Sequence, residues 1–244
     1  MASLAIIMPA YNAEKTLPGV FARIPPHLKD RIDHYLVVDD GSRDNTWEVM
    51  QELAAGIERF VPLRHEVNRG YGGAEKTLLQ AALDRGADHI IMLHADGQYS
   101  PEKLGEVIAA LDAGADIVQG SRFLGGGALK GGMPLYKVIA NQGLTFCENL
   151  VFGMNLAEFH SGYMSYSRAM LDAVPFHALS DSFDFDLEML VCAKILGRRI
   201  DEIAIPTIYA DEVSHLNPIR YGFDVLGVMG KYLRGHYRTL LDGR

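Results

Sequence analysis

Met92-Leu93-His94-Ala95-Asp96-Gly97-Gln98-Tyr99-Ser100-Pro101-Glu102 runs from an apolar, β-rich segment (89–93) through a polar turn into a helix start. Ser suits the N-cap, Pro the first helical position, and Glu the positive end of the helix dipole. The stretch reads as a strand–loop–helix junction. His94, Asp96 and Gln98 then fall at the carboxyl end of a strand, where open α/β sheets bind ligands. Their alternation suits oxygen and nitrogen donors facing one metal ion. The plainer reading is a polar loop that only caps its helix, so the surrounding sequence has to decide.

Working outward, further strands are expected at 4–8, 34–38, 61–65 and 117–120, with helices at about 13–24, 45–56, 73–86 and 101–113. This alternation predicts an α/β fold, a mostly parallel sheet with helices on both faces. The glycine-rich stretch 125–132 breaks the rhythm and reads as a mobile loop, a candidate lid or a linker. A helix at 135–152, a strand at 161–167, a helix near 185–196 and a strand at 200–208 follow. The end, 221–241, is expected to be one helix that adds Lys231, Arg234, His236 and Arg238 to an apolar pattern. Packing or oligomerisation accounts for it, and so does monotopic contact with a membrane. The expected division is a main domain over 1–216 and a C-terminal helical extension over 217–244.

The 244 residues, 48% of them hydrophobic, are enough for one sizeable core. A formal net charge of -8 argues against a nucleic-acid partner, which needs a basic surface. A small anionic ligand needs only a few local cations. Cys147 and Cys192 lie in apolar, helix-like contexts and read as buried thiols. The start lacks a basic leader segment, and no run reaches the roughly 18–20 apolar residues of a spanning helix. A cytoplasmic protein is expected, with peripheral contact on the inner face of a membrane allowed.

The other junctions carry their own chemistry. The first strand ends in Pro9-Ala10-Tyr11-Asn12-Ala13-Glu14, the second in Val37-Val38-Asp39-Asp40-Gly41-Ser42-Arg43-Asp44-Asn45-Thr46. Two adjacent carboxylates at a buried strand end are costly unless they bind something. Asp39 and Asp40 suit the N–H groups of a nucleobase and the hydroxyls of a ribose. Asp44 and Asn45 are accounted for by capping the next helix. In Asn68-Arg69-Gly70-Tyr71-Gly72-Gly73-Ala74, glycines before a helix would let backbone N–H groups approach a phosphate. Arg69 alone reads as a solvated charge.

In this order, together with Ala95-Asp96-Gly97-Gln98-Tyr99-Ser100-Pro101-Glu102 and Gly120-Ser121-Arg122-Phe123, these pieces resemble the inverting GT-A glycosyltransferases of family 2. Within that family they are most similar to the dolichol-phosphate mannosyltransferase and polyprenyl-phosphate glycosyltransferase branch. The resemblance covers about residues 4–216. It implies a GT-A (Rossmann-like) fold, a UDP- or GDP-sugar donor, a divalent metal (Mn2+ or Mg2+) and a polyprenyl phosphate acceptor.

Carried over by position, Pro9, Tyr11, Glu14, Arg69 and Gly70 belong to the donor pocket, and Asp39 and Asp40 hold base or ribose. Asp96 and Gln98 match metal and diphosphate ligands. His94 stands where the branch carries Asp. An imidazole there moves preference from Mg2+ towards Mn2+, or contacts the donor without ligating. Arg122 matches a contact to the acceptor phosphate. Lys137 and Asn141 fall where the branch carries further groups for that phosphate, although a surface lysine is the plainer reading of Lys137.

Glu158-Phe159-His160-Ser161-Gly162-Tyr163 places Glu158 where the family has an Asp near metal and acceptor. His160 is an addition: ligand, base or hydrogen-bonded structural histidine. Asp186, in Phe183-Asp184-Phe185-Asp186-Leu187-Glu188, is a candidate catalytic acid or a complement to its helix dipole. His215 stands where relatives carry Lys near the donor phosphates, and is a further candidate ligand. The resemblance implies a single inverting displacement. With a lipid phosphate acceptor no strong base is needed. With a sugar hydroxyl, Glu158, His160 or Asp186 has to serve. A nucleotidyltransferase and a non-catalytic nucleotide-sugar-binding relative are the competing classes. A homo-oligomer is a further expectation.

Overall fold

A computed structural model of the chain describes residues 2–206 and 218–243. The first half follows the expected alternation: β1 (Leu4–Ala10), α1 (Leu17–Arg23), α2 (Pro26–Lys29), β2 (His34–Asp39), α3 (Thr46–Gly56), β3 (Phe60–Arg64), α4 (Tyr71–Asp84), β4 (His89–Met92), α5 (Leu104–Asp112) and β5 (Ile117–Ser121). The second half is helical except for two strands: α6 (Gly127–Lys130), α7 (Leu135–Phe152), β6 (Met164–Ser167), α8 (Arg168–Ala173), α9 (Phe185–Ile195), β7 (Ile200–Ala204), α10 (Pro218–Leu233) and α11 (His236–Asp242).

Among the described residues the strands form one sheet in the order β3-β2-β1-β4-β6-β5-β7. All neighbours are parallel except those of β6, which runs against both β4 and β5. Because β6 is reversed, its amino end lies beside the carboxyl ends of β1, β2 and β4. The loop before β6 and the loop after β4 are thereby brought together.

Strand alternation sends side chains to two cores. Leu4, Ile6 and Met8 of β1 pack with Leu17 and Val20 of α1, Met50 of α3 and Leu104 of α5. Ala5 and Ile7 pack on the other face with Leu78 and Leu79 of α4, Leu190 of α9, Val225 and Val228 of α10 and Tyr237 of α11. Each fully buried aliphatic side chain contributes about 1.5–3 kcal/mol.

Several expectations are corrected. The single C-terminal helix is two, divided at Gly235, whose φ of 78° is left-handed and unfavourable for residues with a Cβ. The glycine-rich stretch is not an open loop: a tight turn at Leu124–Gly126 leads into α6, with Ala128 buried. Ser100 occupies a cap position without a side-chain cap bond, and Pro101–Lys103 form a 3-10 turn before α5. The strand expected from 161 begins at Met164, and the one expected to reach 208 ends at Ala204. Cys192 is buried, but Cys147 is exposed. No helix among the described residues is long and apolar enough to cross a membrane.

Candidate active site

The loop after β4 is fixed from both sides. Arg23 of α1 donates to the Gly97 carbonyl at 2.9 Å and grips Glu102 through both carboxylate oxygens at 2.9 and 3.0 Å. Asp96 Oδ1 accepts the Gln98 N–H at 2.9 Å, which closes the turn. His94 Nε2 lies 2.9 Å from the Gly162 carbonyl, which can only accept. The ring proton therefore sits on Nε2 and the lone pair on Nδ1. Burial pushes the imidazole pKa down, against the opposing pull of Asp96 and of the Gly162 bond.

Aromatic rings enclose this histidine. Tyr99 meets it edge-on at 4.6 Å between centroids, and Tyr71 lies at 5.7 Å. Tyr99 stacks on Tyr163, Tyr71 on Phe183, and the Gly162 N–H donates to the Tyr99 hydroxyl at 2.9 Å. A Cβ at Gly162 would come within 2.9 Å of the Tyr71 hydroxyl and 3.0 Å of the His94 ring. Only glycine lets the loop before β6 approach the loop after β4 this closely.

Behind Tyr71 lies a buried acid cluster. The Tyr71 hydroxyl donates to Asp186 at 2.7 Å and the Tyr166 hydroxyl at 3.2 Å. Glu75 is fully buried against Asp186 and Tyr166, with neither of its oxygens in good hydrogen-bond geometry. Burial raises the Asp186 carboxyl to about 6, against the hydrogen bonds that lower it. Burial, then the charge of Asp186, holds Glu75 well above the ordinary range. Asp186 thus lies in the first turn of α9 but inside the protein, bonded to two tyrosines.

Glu158 is also fully buried. Its Oε1 accepts Arg122 Nε at 2.9 Å and Arg122 Nη2, while Oε2 accepts the Arg122 N–H at 2.9 Å. Arg122 Nη2 also donates to the His160 carbonyl at 2.7 Å, and Asn141 Nδ2 reaches Glu158 at 3.4 Å. The structure thus joins Arg122, Asn141 and Glu158, with Glu158 as the counter-ion of Arg122. The His160 ring points elsewhere, Nδ1 to the Tyr221 hydroxyl at 3.0 Å and Nε2 to 3.0 Å from Glu148, without hydrogen-bond alignment. Burial raises the Glu148 pKa, against the lowering contact with His160. Lys137 is exposed at the start of α7.

On the donor side the structure revises several readings. Asp39 is fully buried at the end of β2; Oδ1 accepts the Ser42 N–H, and Arg64 lies 3.3 Å from Oδ2 outside hydrogen-bond geometry. Asp40 has internal partners for both oxygens: His65 at 2.6 Å, the Arg69 N–H at 2.9 Å and the Gly70 N–H at 3.1 Å. The same bonds remove those two N–H groups from the phosphate cradle that the glycines suggested. The Arg69 side chain is exposed. Glu14 binds Asn45 through backbone and side chain at 3.1 and 2.9 Å. Pro9 and Tyr11 are half-buried at the end of β1. Burial of Asp44 opposes ionisation, but bonds from Thr46 and the Glu14 backbone outweigh it and lower its pKa. His215 lies outside the described residues.

Among the described residues no three His, Cys, Asp or Glu side chains form a metal cluster. Two atoms are left as candidate cation donors: Asp96 Oδ2, which accepts no hydrogen bond among the described residues, and the His94 Nδ1 lone pair. Donating the other ring N–H to a carbonyl is how ligating histidines are oriented. Tyr71, Tyr99 and Glu75 were not anticipated. Glu75 had a signal: it is an acid on the apolar stripe with Leu78, Leu79 and Ala82. Tyr71 and Tyr99 had none, because Phe183, Asp186, Gly162 and Tyr163, against which they pack or bond, come from distant segments. Concavities beside α4, bounded in part by Arg69, Lys76 and His177, include none of His94, Asp96 or Glu158.

The model of the family described as "Glycosyl transferase family 2" matches residues 5–174. The chain is 32% identical over 219 residues to UDP-N-acetylglucosamine--dolichyl-phosphate N-acetylglucosaminyltransferase of Methanococcus voltae, covering 84% of this chain and 86% of that protein. It is 30% identical over 238 residues to polyprenol monophosphomannose synthase of Mycolicibacterium smegmatis, covering 97% and 88%. The crystal structure of glucosyl-3-phosphoglycerate synthase from Mycobacterium tuberculosis in complex with uridine diphosphate superposes with a TM-score of 0.67 at 20% identity, over 93% of this chain and 79% of that one. That likeness establishes the GT-A, Rossmann-like fold.

Proposed function

Since the chain belongs to glycosyl transferase family 2 and is a glycosyltransferase, we propose that it moves a sugar, with inversion, from a UDP- or GDP-sugar to a polyprenyl phosphate at a membrane face. One observation carries the choice of acceptor. Each candidate base is already engaged: Glu158 by Arg122, His160 by Tyr221, Asp186 by Tyr71 and Tyr166. A hydroxyl nucleophile needs a base in the transition state, whereas a phosphate oxygen is already anionic. The names of the relatives in Methanococcus voltae and Mycolicibacterium smegmatis agree with a polyprenyl-type acceptor.

Asp39 would accept from the base or ribose, beside Pro9 and Tyr11. Asp96 and His94 Nδ1 would hold a divalent ion together with the donor diphosphate, with Gln98 beside them. When bound, the ion neutralises charge on the leaving nucleoside diphosphate. His94 gives the site a nitrogen donor, which favours Mn2+ over Mg2+. Arg122, clamped by Glu158 and the His160 carbonyl, is preorganised to orient the acceptor phosphate. Lys137, at the start of α7, would be the second cation near that phosphate. Tyr71, Tyr99 and Phe183 keep water from the His94 side of the cleft.

Incubation with labelled UDP- and GDP-sugars, Mn2+, and either a short-chain polyprenyl phosphate or soluble sugars tests the reading. Label passing into the organic phase with the lipid phosphate is expected. Label found only in soluble oligosaccharide overturns it.

A further inference from the structure

Asp39 is only half satisfied. Its Oδ1 accepts the Ser42 N–H at 2.9 Å, but Oδ2, closed off from solvent, is left without a hydrogen bond. A buried carboxylate oxygen in that state is costly unless a ligand completes it. The strand register places Arg64 of β3 directly beside Asp39, so both side chains leave the same face of the sheet. Arg64 Nε stands 3.3 Å from Oδ2, and the guanidinium lies 5.1 Å from the ring centroid of Trp47 in the first turn of α3. Arg64 thus lends charge to Asp39 without hydrogen-bond geometry, and its side chain is half exposed.

This pair of groups fits one kind of base edge. A carboxylate only accepts and a guanidinium only donates. Adenine and cytosine would turn an unprotonated ring nitrogen towards Asp39 and are repelled. Uracil presents a ring N–H between two carbonyls: the N–H suits Oδ2, and a neighbouring carbonyl suits Arg64. Guanine presents two adjacent donors, its ring N–H and its amino group, which call for both oxygens of one carboxylate. Here Ser42 holds Oδ1 and a cation flanks Oδ2. The guanine amino group would meet an occupied acceptor or a positive charge, and a site rejects a ligand whose polar group it leaves unpaired.

We propose that Arg64 selects the base of the donor, admitting uracil and rejecting guanine. The inference deepens the nucleotide-sugar reading and rests on it. Arg64 spans Trp47 and Asp39. On binding, the base N–H takes its place at Oδ2 and the guanidinium turns to the adjoining base carbonyl. An unaligned charge contact is thereby exchanged for a charge-assisted hydrogen bond.

The test is calorimetric titration of the full chain with UDP and with GDP, each with Mn2+ and without acceptor. The two ligands share ribose, diphosphate and ion, so the difference between them reports the base. UDP is expected to bind about tenfold more tightly than GDP. Arg64→Ala is expected to lower UDP affinity about tenfold and GDP affinity far less, which narrows the ratio. Arg64→Lys keeps the charge but not the planar fork, and its ratio is expected to fall between the two. A cation that merely attracted the diphosphate would cost both nucleotides equally on removal. Trp47 is the one tryptophan of the chain, so its emission follows the guanidinium over its ring. UDP is expected to shift that emission in wild type, and less in Arg64→Ala. GDP bound as tightly as UDP, a ratio unchanged in both variants, or a Trp47 emission that saturating UDP leaves unaltered overturns the proposal and leaves the nucleotide-sugar reading standing. Binding of neither nucleotide strikes both.

Discussion

His94 and Glu75 show how much one side chain can decide. His94 donates from Nε2 and keeps Nδ1 for a ligand, so His94→Asp exchanges a nitrogen donor for a carboxylate. The expected outcome is a lower ratio of Mn2+- to Mg2+-supported turnover, measured as kcat/KM with each ion. An unchanged ratio removes His94 from the ion. Glu75 is tested by stability. The folded protein holds the proton of the Glu75–Asp186 cluster more tightly than the unfolded chain, because burial raises both carboxyls. Stability from this cluster is therefore fully present below about pH 4 and is lost as pH rises through about 6. Glu75→Gln removes one titrating member. Its denaturant midpoint is expected to match wild type near pH 4 and to exceed it at pH 8, by about 1–3 kcal/mol. A wild type that remains the more stable at pH 8 contradicts this account. At this scale the sequence was informative for Asp96, His94 and Arg122, which sit in local patterns. It was silent on which oxygen of Asp40, Glu14 or Glu158 would be taken up, because those partners lie 25–36 residues away.

Elements were legible where periodicity and punctuation agreed. The helix expected at 135–152 is found with those bounds, between Pro134 and a left-handed Gly153. The C-terminal helix was read too long, because Gly235 is a single residue inside a strong apolar pattern. Fixing α11 falls largely to Glu188 of α9, which accepts the Tyr237 hydroxyl at 2.7 Å and Lys231 at 2.9 Å. Tyr237→Phe leaves a buried carboxylate short of one donor. It is expected to cost about 1–3 kcal/mol in chemical denaturation, with early loss of protection in α11 by hydrogen exchange. A loss below about 0.5 kcal/mol would show that Lys231 and the Ser180 N–H suffice for Glu188. The glycine-rich 125–132 segment misled for the opposite reason: composition suggested a loop, but Ala128 has a buried place to go.

For the whole molecule, the parallel sheet covered on both faces followed from alternation alone, while the reversed strand β6 did not, since no local pattern encodes strand direction. The C-terminal helices also proved less of an appendage than composition suggested. Val225, Val228, Met229 and Tyr237 belong to the same core as α4 and α9. A chain ending at residue 217 is accordingly expected to lose its cooperative thermal transition and bind a hydrophobic dye, whereas a mere extension would leave calorimetry unchanged. The position of β6 has a consequence in time. β1 to β4 are complete in the first 92 residues and pair only with one another and with β6. β5 emerges next but has no neighbour in that group; its partners are β6 and β7, which lie at 164–167 and 200–204. During synthesis the free edge of β4 must therefore wait for a strand some 70 residues downstream. An unpaired edge of that kind invites association with other chains. Closure of the sheet by β6, and with it the juxtaposition of Gly162 and His94, is the step on which both assembly and the completion of the cleft depend.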